Sequence, residues 1–141
     1  MRIVIDVLRA RKLPYAEIVL GMDYTLVGRD IDFFAVFRDE KGVAVGAFYY
    51  EYYKGVNPYY WIRDCSDSVE NDEGYVIDLP EVPLNIVRID IVQVAYPKRN
   101  YRWQASLVRK NDGNWELQLV NEKSKFKDIQ EFIDHDVQLP K

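Results

Sequence analysis

The feature that most constrains this chain is an alternation of apolar and polar positions with a period of two, which recurs along most of its length. Ile3, Ile5 and Val7 share one face of a segment from Arg2 to Leu8. Ile31, Phe33, Ala35 and Phe37 do so from Ile31 to Phe37, and Ala44 to Tyr53 is a longer candidate of the same kind. Gly74 to Asp78 is a short candidate, and Ile86 to Tyr96 alternates around Arg88, Asp90 and Gln93. Further on, Trp103, Ala105 and Leu107 fall on one side of the segment 102–109, and Trp115, Leu117 and Leu119 alternate with Glu116 and Gln118. Successive strand side chains point to opposite faces, so this pattern predicts half-buried strands, not helices.

Turn chemistry separates the segments. Asp39-Glu40-Lys41-Gly42 reads as a hairpin turn, and Asn111-Asp112-Gly113-Asn114 is a stronger one, because Gly supplies positive φ readily. Pro80 and Pro83 bracket a connector that cannot be a central strand, since proline has no N–H to give to a ladder. One stretch breaks the period. From Ser124 to His135, Phe126, Ile129, Phe132 and Ile133 fall three or four apart, which predicts one amphipathic helix with Ser124 as N-cap. The expected fold class is mainly β, an antiparallel β-sandwich with one C-terminal amphipathic helix packed on it. No repeat, linker or low-complexity stretch divides the 141 residues, so residues 1–141 read as a single domain.

The densest chemical feature is DCSDSVENDE, residues 64–73, with five carboxylates in ten residues and no Lys or Arg. Crowded carboxylates repel one another unless water screens them or a cation sits between them. Hard oxygen ligands favour calcium, which takes six to eight of them in irregular geometry, and argue against zinc or copper. The order of an EF-hand loop is absent. A second acidic pair, Asp30 and Asp32, falls on one side of the extended segment that opens the Ile31 strand, with Asp23 just upstream. On this reading the candidate oxygen ligands are the loop carboxylates Asp64, Asp67, Glu70, Asp72 and Glu73 and the pair Asp30 and Asp32.

Aromatic residues make 14% of the chain and concentrate in FYYEYYKGVNPYYW, residues 48–61. Tyr and Trp are enriched at interface hot spots, which makes Tyr59, Tyr60 and Trp61 a candidate partner-binding surface.

Several function classes are disfavoured. The net charge of −4 is a poor start for phosphate contacts, and the basic groups Lys98, Arg99, Arg102 and Lys123, Lys125, Lys127 read as solvated faces, so no nucleic-acid partner is expected. Asp6 interrupts the first apolar run, and no later run is long enough to span a bilayer. With a single cysteine, Cys65, no intrachain disulfide can form, and a reducing, cytoplasmic setting is expected. Acidic neighbours suppress the Cys65 thiolate, His135 is the only histidine, and nucleotide-binding glycine motifs are absent. No enzymatic activity and no small-molecule substrate are expected.

The order of these pieces resembles the TerD family of tellurite-resistance and stress-response proteins. Gly21-Met22-Asp23, Asp30-Ile31-Asp32, the strand Phe33 to Phe37, the turn Asp39 to Gly42 and Phe48 to Tyr50 follow the family's first half. Asn71-Asp72-Glu73, Ile77-Asp78-Leu79, Val82-Pro83 and Gly113-Asn114-Trp115-Glu116 follow its second, and the likeness runs from about residue 19 to 137. Three departures stand out: Met22 replaces a tryptophan, 63–69 replace a glycine-rich stretch in a shortened loop, and the stretch before Trp115 is compressed as if a hairpin were deleted. The resemblance implies a β-sandwich that binds calcium through the acidic loop and the D-x-D region, with Asp30, Asp32, Asp64, Asp67, Asp72 and Glu73 as the ion ligands, and with protein partners in a cytoplasmic stress-response complex, at a membrane or away from one. Two other readings stand beside it. One is a metal-free protein-interaction module that uses the tyrosine-rich surface. The other is a C2-like module that docks on membranes through calcium, which the opening VLRARKLP resembles.

Overall fold

The computed structural model describes residues 8–12, 17–23, 31–49, 56–64, 72–95, 100–120, 125–126 and 128–134. Ten strands and one short α-helix account for most of them. The strands are β1 (Leu8–Lys12), β2 (Glu17–Asp23), β3 (Ile31–Arg38), β4 (Ala44–Phe48), β5 (Ile62–Asp64), β6 (Asp72–Asp78), β7 (Arg88–Ala95), β8 (Asn100–Arg109), β9 (Trp115–Leu119) and β10 (Lys125–Phe126). The helix α1 spans Ile129–Asp134, and a single 3-10 turn, Leu79–Glu81, carries the proline-bracketed connector.

All described pairings are antiparallel. A first sheet has the order β1-β2-β6-β5, and a second has the order β10-β8-β7-β3-β4 with β9 also on β8. The two tight turns form as their sequences demand. Gly42 and Gly113 take φ of 82° and 86°, a region that costs glycine little and other residues more. Asp39 Oδ1 accepts from the Lys41 and Val43 N–H groups, and Asp112 Oδ1 accepts from that of Asn114, which locks each turn.

One core cluster draws on both sheets. Phe37, Phe48, Ile89, Ile91 and Leu107 come from the second sheet, and Ile62, Tyr75 and Ile77 from the first. Phe48 of β4 meets Tyr75 of β6 edge to face, with ring centroids 5.0 Å apart. Each such side chain contributes about 1.5–3 kcal/mol on leaving water.

A second cluster lies on the other face of the second sheet. Phe34, Val36, Val92, Val94, Tyr101 and Trp103 are covered there by Phe126 and Phe132. Both faces of β3 and β7 are thus closed, and Ile89 to Val94 are all buried. The alternation predicted half-buried strands; these central strands are buried on both sides because a helix lies over one face and the first sheet's side chains over the other.

The helix is shorter than expected. Lys125 and Phe126 pair with Arg102 and Tyr101 as a strand, and α1 starts only at Ile129. Its cap is Asp128, whose Oδ1 accepts the Glu131 N–H at 2.8 Å. Ser124, the expected cap, and His135 lie outside the described residues. The helical spacing of Phe126 was misleading because Phe126 does join Phe132 in one cluster, but from a strand.

A bulge corrects another expectation. Ile91 opposes Ala105 while Val92 opposes Trp103, so Gln104 is an extra residue in β8. An extra residue flips every later side chain to the other face. Trp103 accordingly faces the helix side while Leu107 faces the first cluster, instead of sharing one side.

β2 was not foreseen, because Ile18-Val19-Leu20 is a continuous apolar run, and the expected Arg2–Leu8 strand lies outside the described residues save for Leu8. Among the described residues, no helix is long and apolar enough to cross a membrane.

Candidate functional site

Three of the expected metal ligands fall at one end of the first sheet. β5 ends at Asp64 and β6 begins with Asp72 and Glu73, so the intervening acidic loop joins neighbouring antiparallel strands at that end. β2 ends there as well. Its register sets Asp23 directly opposite Asp72, and Met22 opposite Glu73. Directly opposed residues have Cβ atoms about 4.5–5.5 Å apart, and like charges in that position destabilise a ladder. Asp64 opposes Tyr75, three residues along β6 from Asp72, which is about 10 Å.

The other expected ligands are placed differently. Asp32 lies on β3 of the second sheet, opposite Val94. Only residues 24–30 separate the end of β2 from the start of β3, and seven residues span at most about 25 Å. Asp32 therefore starts a strand within reach of the acidic end without belonging to it. Asp30, Asp67 and Glu70 lie outside the described residues. Among the described residues, no group of three or more His, Cys, Asp or Glu is arranged to hold a metal ion. The donor types gathered by the first sheet are all oxygen, which suits calcium in kind.

The aromatic triad divides. Trp61 is 3% exposed and belongs to the core that joins the sheets, so its side chain contributes to no surface. Tyr59 is half-buried and meets Phe37 edge to face at 5.0 Å. Tyr60 is 77% exposed, and Val56 nearby in sequence is 79% exposed. Asn57 shapes the segment: its Oδ1 accepts the Tyr59 N–H at 2.9 Å, and its Nδ2 donates to the Ile62 carbonyl. The order of burial follows from that turn, which delivers Trp61 inward just before β5 and leaves Tyr60 at the crest.

A buried polar network escaped the sequence reading. Asp90, fully buried on β7, accepts from Arg38 Nε at 2.7 Å and from Arg88 Nε and Nη2 at 2.7 and 2.9 Å. Ser106 Oγ, on the residue opposite Asp90, donates to the same carboxylate and accepts from Trp103 Nε1 at 2.9 Å. The β8 bulge makes this possible, since it turns Trp103 and Ser106 to one face although they are three residues apart. Arg38 also donates to the Gly42 and Phe132 carbonyls, at 3.0 and 3.1 Å. The guanidinium groups of Arg38 and Arg88 lie 5.2 and 5.5 Å from the Phe132 and Trp103 ring centroids, within the range for cation–π attraction. The available signal was charge within strands of buried character: Asp90 sits among Ile89, Ile91 and Val92.

A shallow cleft of about 220 Å³ lies beside this network, lined by the Asp39–Gly42 turn, Val87, Arg88, Val108 and Arg109. Arg109 is occupied structurally. Its guanidinium donates to the Ile86, Val82 and Pro83 carbonyls and lies 4.5 Å from the Trp115 ring centroid. Partial burial lowers its pKa through desolvation. The cleft offers mixed charge, from Asp39, Glu40 and Lys41 on the turn and Arg88 and Arg109 on the strands.

Comparison with protein-family models, with curated proteins and with solved structures gave no match.

Proposed function

We propose that this chain is a non-enzymatic, calcium-binding domain of TerD type that serves protein partners in a cytoplasmic stress-response system. The observation that supports it is the register of β2 and β6, which opposes Asp23 to Asp72 beside Glu73. Opposed carboxylates at a strand end are a cost unless a cation or water lies between them, and the acidic loop adds Asp67 and Glu70 on the same connection. Calcium bound there would cross-link β2, β5 and β6 at their acidic ends. Asp32 and Asp30 would complete the oxygen set from the β2–β3 connection.

The test is a thermal melt in EDTA, in millimolar calcium and in millimolar magnesium. At a hundredfold excess over Kd, a ligand of the native state stabilises it by about 2.7 kcal/mol, several degrees for a domain of this size. A calcium-specific rise that Asp72→Asn abolishes supports the site. No rise in any variant or metal sinks it.

A second reading has its own support. Tyr60 and Val56 are both more than three-quarters exposed on a turn held by Asn57, which suits a metal-free protein-interaction surface. Tyr60→Ser should then abolish self-association or partner capture, in EDTA as in calcium.

A further inference from the structure

We propose that the Asp112–Gly113 pair, in the hairpin that joins β8 to β9, is a latent site of aspartate isomerisation, and that the closed turn holds it shut. Among the seven glycines of the chain, Gly113 alone follows an aspartate, and none follows an asparagine. In such a pair the glycine nitrogen can attack the side-chain carboxyl carbon of the aspartate, because glycine has no side chain to hinder the approach and its backbone turns freely. The nitrogen gives up its proton, a C–N bond forms and a carboxyl oxygen leaves as water, which closes a five-membered succinimide. Water then opens the ring. Opening at the main-chain carbonyl leaves the chain running through the side-chain carbon of Asp112. The product is an isoaspartate, with one extra methylene in the backbone and the same mass as before.

Burial gives no protection here. Residues 111–114 are all exposed, and among the described residues nothing beyond its chain neighbours comes within 4 Å of where a Gly113 Cβ would stand. What restrains the reaction is hydrogen bonding. The Gly113 N–H, whose proton must go, donates to the Lys110 carbonyl at 2.9 Å. The Asp112 carboxylate, whose carbon must be reached, accepts the Asn114 N–H through Oδ1 at 2.9 Å and Asn114 Nδ2 through Oδ2 at 3.2 Å. Those bonds, with Lys110 nearby, favour the ionised carboxylate, whereas ring closure needs the acid form, the better electrophile. The Lys110 N–H closes the loop on the Asn114 carbonyl at 2.7 Å, and Gly113 is fixed at φ 86°. Ring closure therefore waits on opening of the turn. Once formed, the extra methylene moves Gly113 away from the Lys110 carbonyl, next to the Arg109–Trp115 pair that ends the β8–β9 ladder. A passing opening of the hairpin thus becomes a permanent change in its backbone.

The test incubates the full chain at mildly acidic pH, folded in buffer and unfolded in guanidinium chloride, and quantifies isoaspartate at position 112 by peptide mapping with mass spectrometry. A peptide of residues 109–116, incubated in both solvents, corrects for the denaturant. Isoaspartate should accumulate in the unfolded chain and at least about tenfold more slowly in the folded one, a factor that one or two ordinary hydrogen bonds supply. Asn114→Ala deletes the Nδ2 donor and should raise the folded-state rate about threefold while leaving the unfolded rate unchanged. Equal rates in the folded and unfolded wild type would mean that the turn protects nothing, and overturn the proposal. An unfolded chain that forms no isoaspartate at 112 overturns it equally, because the site is then not labile. The wild-type comparison decides the matter if the variant does not fold.

Discussion

Arg38 and Asp90, fifty-two residues apart in sequence, meet at 2.7 Å inside the protein with side chains 1% and 0% exposed. Antiparallel pairing of β3 with β7 sets Asp90 opposite Val36, so Arg38 reaches it diagonally, two residues along the ladder. Arg88 reaches the same carboxylate from two residues before it on β7, and Ser106 from directly across on β8. One carboxylate thus organises three neighbouring strands. Removing it leaves two arginines facing each other, Arg38 fully buried and Arg88 largely so.

Asp90→Ala should cost about 3–5 kcal/mol, because breaking a buried pair leaves an uncompensated charge. Asp90→Asn should cost less, since the amide oxygen still accepts from Arg38 or Ser106. Urea denaturation monitored by tryptophan fluorescence measures both. A loss below about 1 kcal/mol for the alanine variant would mean that the arginines find water, against their burial.

Trp61 and Tyr60 are neighbours in sequence and opposites in environment, at 3% and 77% exposure. Trp61→Ala should destabilise by about 3–5 kcal/mol through lost burial and a residual cavity. Tyr60→Ser should stay within about 0.5 kcal/mol of wild type. Chemical denaturation of the two variants side by side makes the comparison, and equal effects would refute this placement of the turn.

Gly46 is small because of what faces it. A Cβ there would lie 2.9 Å from the Tyr59 hydroxyl oxygen and 3.1 Å from Phe37 Cδ2. Gly46→Ala should cost about 1–3 kcal/mol by overpacking. Combining it with Tyr59→Phe, which deletes the nearer atom, should recover part of that loss. A double-mutant cycle reads the coupling directly, and strict additivity would show that the two positions do not touch.

Asp72→Asn has opposite expected effects with and without metal. In EDTA it removes a carboxylate opposed to Asp23 and should leave stability unchanged or raise it by about 0.2–1 kcal/mol. In calcium it should remove the metal-dependent rise in Tm. A variant that loses stability equally in both conditions would assign Asp72 a purely local structural role.

At the second hairpin, Asp112 is held below the usual aspartate range, chiefly by the Asn114 N–H group that its carboxylate accepts. Its folded-state pKa is depressed, so its contribution is present above the unfolded value and fades as pH falls through the folded one. An NMR titration should give Asp112 a lower midpoint in the wild type than in the urea-unfolded chain. The two midpoints coinciding would remove the hydrogen bond from solution.

Much of this architecture is written locally. The period-two segments at Ile31, Gly74, Arg102 and Trp115 lie in strands, as does the Ile86 segment from Arg88 to Ala95, and the Asp-Gly and Lys-Gly turns form where glycine's positive φ permits. These features are legible because each depends on residues within a few positions of one another. Phe126 shows the limit: its spacing from Phe132 fits a helix, yet its backbone belongs to a ladder with Tyr101. Trp103 and Leu107 show it again, since one extra residue at Gln104 reverses a face that alternation assigns.

The acidic end of the first sheet was half legible. Composition marked Asp64, Asp72 and Glu73, but only the β2–β6 register set Asp23 against Asp72, and it left Asp32 on the other sheet. By itself the sequence determined a mainly β antiparallel chain, its turns and its carboxylate-rich segment, because propensity and periodicity act at short range. The tertiary structure alone decided which strands pair, which of Tyr60 and Trp61 goes inside, and that Arg38, Arg88 and Asp90 leave water together. Those outcomes depend on residues brought from distant parts of the chain, where a buried charge is tolerable only once its partners have arrived.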